Sequence, residues 1–269
     1  MRMKQGLGWV VAAVVAVGVA GCKSSTPTGT ASGPGAGSAA PVAPVQAAPL
    51  DPATLGSVTG KVHFAGKAPE PVKIDMSMDP ACEMSGGGDN FSEQFVVKSG
   101  GLGNVFVYMK SGPAAAMGYR QVPTPTVVMD QKGCRYVPHV VGVEQGGSVE
   151  FRSSDVTMHN IHVMPTAVGS EPIDLSQGPK GAPQAKQFNR PELMIPVRCN
   201  NHPWMNAFVN VVPTPFFAVT GADGTFAISG LPAGEYTFGA VHEKLGEQTI
   251  QVTVQPQTAA KADFSYTMK

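Results

Sequence analysis

The sequence predicts an all-β protein built from β-sandwiches, and three observations carry that prediction. Apolar residues recur in short runs, many alternating with period two, between clusters of turn residues. After the N-terminal stretch no segment sustains a helical apolar period beyond two turns. Glycine (32) and proline (24) are abundant in a chain of 269 residues, enough for two compact domains. Lys+Arg equals Asp+Glu at 19 each, only 14% of residues are charged, and no basic stripe occurs, so nothing supports nucleic-acid binding.

Residues 1–21 read as an export signal outside the fold. Arg2 and Lys4 form a short basic region, Leu7 to Val19 an apolar run, and small residues follow. The run is too short for a membrane span. Val19-Ala20-Gly21-Cys22 resembles the bacterial lipobox, which implies a lipidated Cys22 and a stable membrane anchor. An ordinary signal peptide with a chance cysteine is the plain alternative. Lys23 stands where Asp is the familiar signal for retention at the inner membrane. The expected location is therefore exported and lipid-anchored, on the periplasmic side or surface of the outer membrane. Residues 22–56 are Ala, Pro, Gly, Ser and Thr with little charge, a composition that cannot bury enough surface to fold and predicts a disordered tether.

Residues 57–112 form an N-terminal β segment, with strand candidates at Val58–Phe64, Phe95–Val97 and Asn104–Met109. Met76, Met78, Cys82 and Met84 lie within nine residues, soft ligands that suit Cu(I); a loop with polarizable packing groups and a half-cystine explains them equally well. Of the four cysteines, Cys22 is taken by the lipid reading and Cys199 by the metal reading below. Cys82 and Cys134 remain, in an oxidising compartment, and a disulfide between them is expected. Spacing alone does not show that they come within bonding distance.

Residues 113–212 carry the chemistry. Cys199-Asn200-Asn201-His202-Pro203-Trp204-Met205 places a thiolate, an imidazole and a thioether at C-x2-H-x2-M spacing. Two His, one Cys and a weak axial Met make a copper site suited to electron transfer. The second His is supplied by Met158-His159-Asn160-Ile161-His162, about forty residues upstream, where a polar loop meets a strand. With Gly147-x-Val149-x-Phe151 and the short Cys-to-Met loop, the segment resembles the cupredoxins, and among them amicyanin. The resemblance covers about a third of the chain and implies a Greek-key β-sandwich holding one type 1 copper. His159, Cys199 and His202 would be the strong ligands and Met205 the axial one. It also implies that Asn160 ties the two ligand loops together and that His202, near the surface beside Pro203 and Trp204, is where electrons leave. Pro196, in the strand entering Cys199, lacks a backbone donor and predicts an edge or a bulge. His162 is an odd number of positions from His159, hence on the opposite strand face. His139 is expected at the surface or an edge, and His63 and His242 lack ligand-rich neighbours. Zinc could take the same three strong ligands, but a Met ligand favours copper; a metal-free relative would be expected to have lost a ligand.

Residues 213–269 contain T-x-x-D-G-x-F-x-I-x-x-L-P-x-G-x-Y, with Asp223-Gly224 and Pro232-x-Gly234 as turns. This run resembles the carboxypeptidase regulatory-like (transthyretin-like) β-sandwich. Gly60-Lys61-Val62 and Val105-Phe106-Val107 match that family's earlier strands, so residues 57–112 and 213–269 are expected to make one sandwich with the cupredoxin inserted. Three units in series is the alternative.

The functional expectation is a membrane-anchored copper protein passing single electrons between exported redox partners, a soluble protein or a membrane electron-transfer complex. It is not expected to be an enzyme: no base, nucleophile or open metal site is visible. The competing readings are copper delivery, favoured if the Met76–Met84 cluster binds Cu(I), and a surface binding module centred on the regulatory-like sandwich.

Overall fold

The computed structural model describes residues 50–85 and 90–268; the signal, Cys22 and the tether to residue 49 lie outside the described residues. The fold is all-β. A turn of 3-10 helix at Pro52–Thr54 leads into β1 (Leu55–Ala65), followed by α1 (Pro80–Ser85), β2 (Val97–Lys98), β3 (Gly101–Leu102) and β4 (Phe106–Ser111). The central stretch holds α2 (Ala114–Gly118), β5 (Thr126–Gln131), β6 (Tyr136–Val137), β7 (Val140–Glu144), β8 (Ser148–Ser153) and β9 (His159–Val163). It continues with β10 (Ile173–Gln177), β11 (Gln184–Gln187), β12 (Glu192–Arg198) and β13 (Asn206–Val212). The last stretch holds β14 (Phe217–Val219), β15 (Thr225–Pro232), β16 (Gly234–His242), β17 (Gly246–Val254), β18 (Ala259–Lys261) and β19 (Phe264–Thr267).

Order begins earlier than the tether boundary predicts, because Leu55 and Gly56 pair with Pro232 and Leu231 of β15. Two sheets draw only on the first and last stretches: β15-β1-β3-β2, with β18 and β19 both parallel to β1, and β14-β4-β16-β17. Val58, Val62, Leu102, Ile228, Phe238 and Val254 from both stretches fill one core between them. Two further sheets draw only on the central stretch: β10-β9-β12-β13-β7 and β11-β8-β5-β6. Met129, Phe151, Ile161, Val163, Val197 and Val209 fill their core. Alternate residues of β8 point inward, as a half-buried strand requires: Val149, Phe151 and Ser153 are buried.

Pro196 is not on an edge. β12 is an inner strand, pairing with β13 on one side and β9 on the other. Its register shifts between Glu192 and Ile195, just before the proline, and Met194 takes a positive φ there. The Pro196 carbonyl accepts from Met164 N–H (3.0 Å), so the missing donor faces β9 where that ladder ends, and the pairing with β13 is unharmed.

Candidate metal centre

Cys199 follows β12, Met205 immediately precedes β13, and the turn between them carries His202. The turn is closed by main-chain bonds: Cys199 N–H donates to Met205 O (3.2 Å) and Met205 N–H to His202 O (2.9 Å). His159 is the first residue of β9, delivered by the loop that contains Asp155. His159, Cys199 and His202 are all buried, and their ligand atoms lie within 4.8 Å of one another. Met205 is buried with Cys199 in the core of the central sandwich.

The two imidazoles meet through their Nδ1 atoms, 3.0 Å apart, and His202 Nδ1 is 3.5 Å from Cys199 Sγ. Each far nitrogen faces a carboxylate. His159 Nε2–H donates to Asp155 Oδ2 (2.8 Å) and His202 Nε2–H to Asp79 Oδ2 (3.0 Å). Asp155 is itself held by Gly133 N–H (2.7 Å) and Cys134 N–H (2.8 Å), and Asp79 by Thr157 Oγ1–H (2.8 Å). These arrangements fix the ring orientations and turn both Nδ1 atoms toward the interior of the trio. A carboxylate on the outer nitrogen of a histidine is the usual support of a metal-ligating imidazole. The inner space suits a single cation, whether one proton or one metal ion with bonds of about 2 Å to nitrogen.

The electrostatics agree. Burial pushes the Cys199 thiol up, but hydrogen bonds from His159, the Asn160 and Asn201 backbones and His202 outweigh it and hold it at about 6. Burial pushes His159 down, yet the hydrogen bonds to Asp155 and Cys199 and their negative charge lift it to about 9. Asp155 and Asp79 are both held below the usual carboxylate range; burial opposes this, and the hydrogen bonds from His159 and His202 respectively lead the groups that overcome it.

Several expectations are corrected. His202 is not a surface residue: it is 3% exposed, because Asp79 and Thr157 close over its outer edge and Trp204 tilts against its ring at 5.1 Å between centroids. The Trp204 indole N–H donates to Cys134 O (3.1 Å), while Pro203 is exposed. The Asn160 side chain does not join the ligand loops. Its Nδ2–H donates to Asp174 Oδ1 (2.7 Å) and Leu175 O (3.2 Å), and the contact to the centre is its backbone N–H, which donates to Cys199 Sγ (3.3 Å). That bond joins the two ligand loops, as do His162 with Asn200 (3.2 Å) and Asn201 Nδ2–H donating to Met158 O (3.4 Å).

The other singled-out residues lie outside the trio of His159, Cys199 and His202, though both half-cystines border it. Cys82 and Cys134 form a disulfide with Cα atoms 5.5 Å apart. Met76 is buried and accepts from Asn90, whereas Met78 and Met84 are exposed, so the sulfur-rich stretch does not gather into one cluster. His139 is buried and bonded to Asn206 O (3.1 Å) and Glu243 (2.7 Å), correcting its expected surface role; the partner 104 residues away left no local signal. His242 is buried and its pKa falls to about 4 through that burial, and His63 is exposed.

No known protein-family profile matches the chain, and no curated protein sequence does. Among solved structures it is similar to a Cu-containing nitrite reductase from Thermus scotoductus SA-01, at 24% identity and TM-score 0.30 over 33% of this chain. The match spans only 22% of the nitrite reductase. It is also similar to a mutant of amicyanin in its reduced Cu(I) form at pH 4, at 20% identity and TM-score 0.30 over 40% of this chain and 99% of that one. A purple cupredoxin from Nitrosopumilus maritimus is similar at 20% identity and TM-score 0.26, over 32% of this chain and 99% of that one.

Proposed function

We propose that the chain is a type 1 copper protein that carries single electrons between exported partners, held at a membrane by a lipidated Cys22. The reading rests above all on one observation: His159 Nδ1, His202 Nδ1 and Cys199 Sγ converge while both Nε2 atoms are tied to carboxylates. When bound, copper supplies a one-electron couple between Cu(I) and Cu(II). Cys199 would bind as thiolate, His159 and His202 through Nδ1, and Met205 would offer its thioether. The residues around them would keep the ligands in one arrangement in both oxidation states. Burial keeps water out, Asn160 N–H steadies the sulfur, and Asp155 and Asp79 stop the rings from rotating.

On this reading residues 113–212 are the copper domain, set into a regulatory-like sandwich made by residues 57–112 and 213–269. The protein is a carrier and not an enzyme. Zinc fits the three strong ligands less well because Met205 is buried beside them. Copper delivery is disfavoured by the scattered sulfurs of residues 76–84.

Cu(II) added to the purified, exported protein should bind one ion per chain and produce an intense visible thiolate-to-copper band. Cys199→Ser should bind without that band. A colourless wild-type protein, or an unchanged spectrum in the variant, sinks the reading.

A further inference from the structure

The ligand set does not explain a carboxylate that reaches the centre from outside the sheets that build it. Asp79 precedes α1, in the stretch between β1 and β2, and lies 123 positions from His202 in sequence. Its two oxygens have separate tasks. Oδ1 accepts from Ala81 N–H (2.8 Å) and Cys82 N–H (3.3 Å), capping α1. Oδ2 accepts from His202 Nε2–H (3.0 Å) and Thr157 Oγ1–H (2.8 Å). Three residues further on, Cys82 is bonded to Cys134, whose own N–H holds Asp155 against His159. One cross-link therefore joins the supports of both imidazoles.

We propose that Asp79 is a positioning residue for the copper centre, an anionic cap that aims His202 Nδ1 inward and lowers the reduction potential; this rests on the copper reading above. The geometry requires the His202 ring to present Nδ1 to Cys199 and His159 as long as Nε2–H is bonded to Asp79. A negative charge one hydrogen bond from a ligand stabilises the more positive oxidation state more than the less positive one. A purely structural cap would make only the first of these contributions, through α1, and leave the metal's electronics unchanged.

Asp79→Asn separates the two, since Asn caps a helix as well as Asp and its Oδ1 still accepts. In the copper-loaded full chain, Asp79→Asn should fold with unchanged circular dichroism, raise the reduction potential and shift the thiolate-to-copper band. Its Cu(II) affinity should fall about 10–100-fold, the usual cost of losing such an outer partner, and its Cu(I) affinity less. A loaded variant with wild-type potential and band overturns the proposal. A second measurement needs no copper. In metal-free wild type, nitrogen NMR should show His202 protonated at Nε2 with a slowly exchanging proton, and Asp79→Ala should lose that signal. An identical His202 signal in wild type and Asp79→Ala overturns the proposal too. A colourless wild type showing the NMR difference would instead discard copper and keep Asp79 as the residue that positions His202.

Discussion

With no metal bound, Cys199 and His159 still share a proton, and their pKa shifts bear on stability. Cys199 has a folded value of about 6 against an ordinary 9.0, so its contribution is complete above 9.0 and is lost as pH falls through about 6. His159 has a folded value of about 9 against 6.5, so its contribution is complete below 6.5 and is lost as pH rises through about 9. Between those limits the folded chain has moved a proton from thiol to imidazole without changing the number it binds, and the two slopes cancel. The metal-free protein should therefore hold its thiolate at neutral pH. A titration of its ultraviolet thiolate absorbance should show a midpoint near about 6 that vanishes in Cys199→Ser; a midpoint near the ordinary 9.0 would contradict the hydrogen-bonded arrangement. At this scale the sequence is readable where chemistry restricts residue type. Few side chains besides Cys, His and Met are soft ligands, so four of them in order stand out. The outer carboxylates obey no such restriction. Asp155 is four residues from His159 and within reach of inspection, whereas Asp79 touches His202 only through the fold.

Strands and their turns were legible because alternation and turn residues are local properties, and β1, β8, β15 and β16 fall where such patterns occur. Short elements were not. α1 has six residues, too few for an apolar period, and is held by the Asp79 cap and by the disulfide rather than by propensity. Pro196 sits just past a register shift and not on an edge; of the two expected placements the edge failed, because a missing donor shows only that one neighbour goes unserved, not which strand lies beside it. The disulfide sets the strength of α1's attachment. Its cysteines are 52 positions apart, a loop for which chain entropy corresponds to about 4 kcal/mol, and removing a native cross-link of this kind costs about 2–5 kcal/mol. The Cys82→Ser/Cys134→Ser double variant should lose that much in denaturant unfolding. A loss below about 0.5 kcal/mol, the scatter typical of surface substitutions, would mean that packing alone secures α1.

Across the whole molecule the two sandwiches meet through side chains that no local pattern could pair. Phe106 and Tyr108 of β4 pack with Val140 of β7, Val212 of β13 and Val241 of β16. Gly142 leaves room for this contact, since a Cβ there would come within 2.4 Å of the Phe106 ring and 2.6 Å of Phe217. Beside this apolar contact lies a buried hydrogen bond between two titratable side chains. His139, just before β7, meets Glu243, just after β16, at 2.7 Å, with their side chains 4% and 5% exposed. His139 Nδ1 also bonds the Asn206 carbonyl, next to Met205, so the pair links the second sandwich to the end of the ligand turn. A buried polar group that loses its partner is costly, while replacing both partners with apolar groups of similar shape often is not. His139→Leu should therefore lower stability by about 1–3 kcal/mol by leaving the buried Glu243 carboxyl group without its partner. The His139→Leu/Glu243→Leu double variant should recover most of that loss, leaving mainly the bond to Asn206 unmade. Denaturant unfolding of the two single variants and the double variant tests the coupling. If the double variant loses the sum of the two single losses, the pair is not coupled.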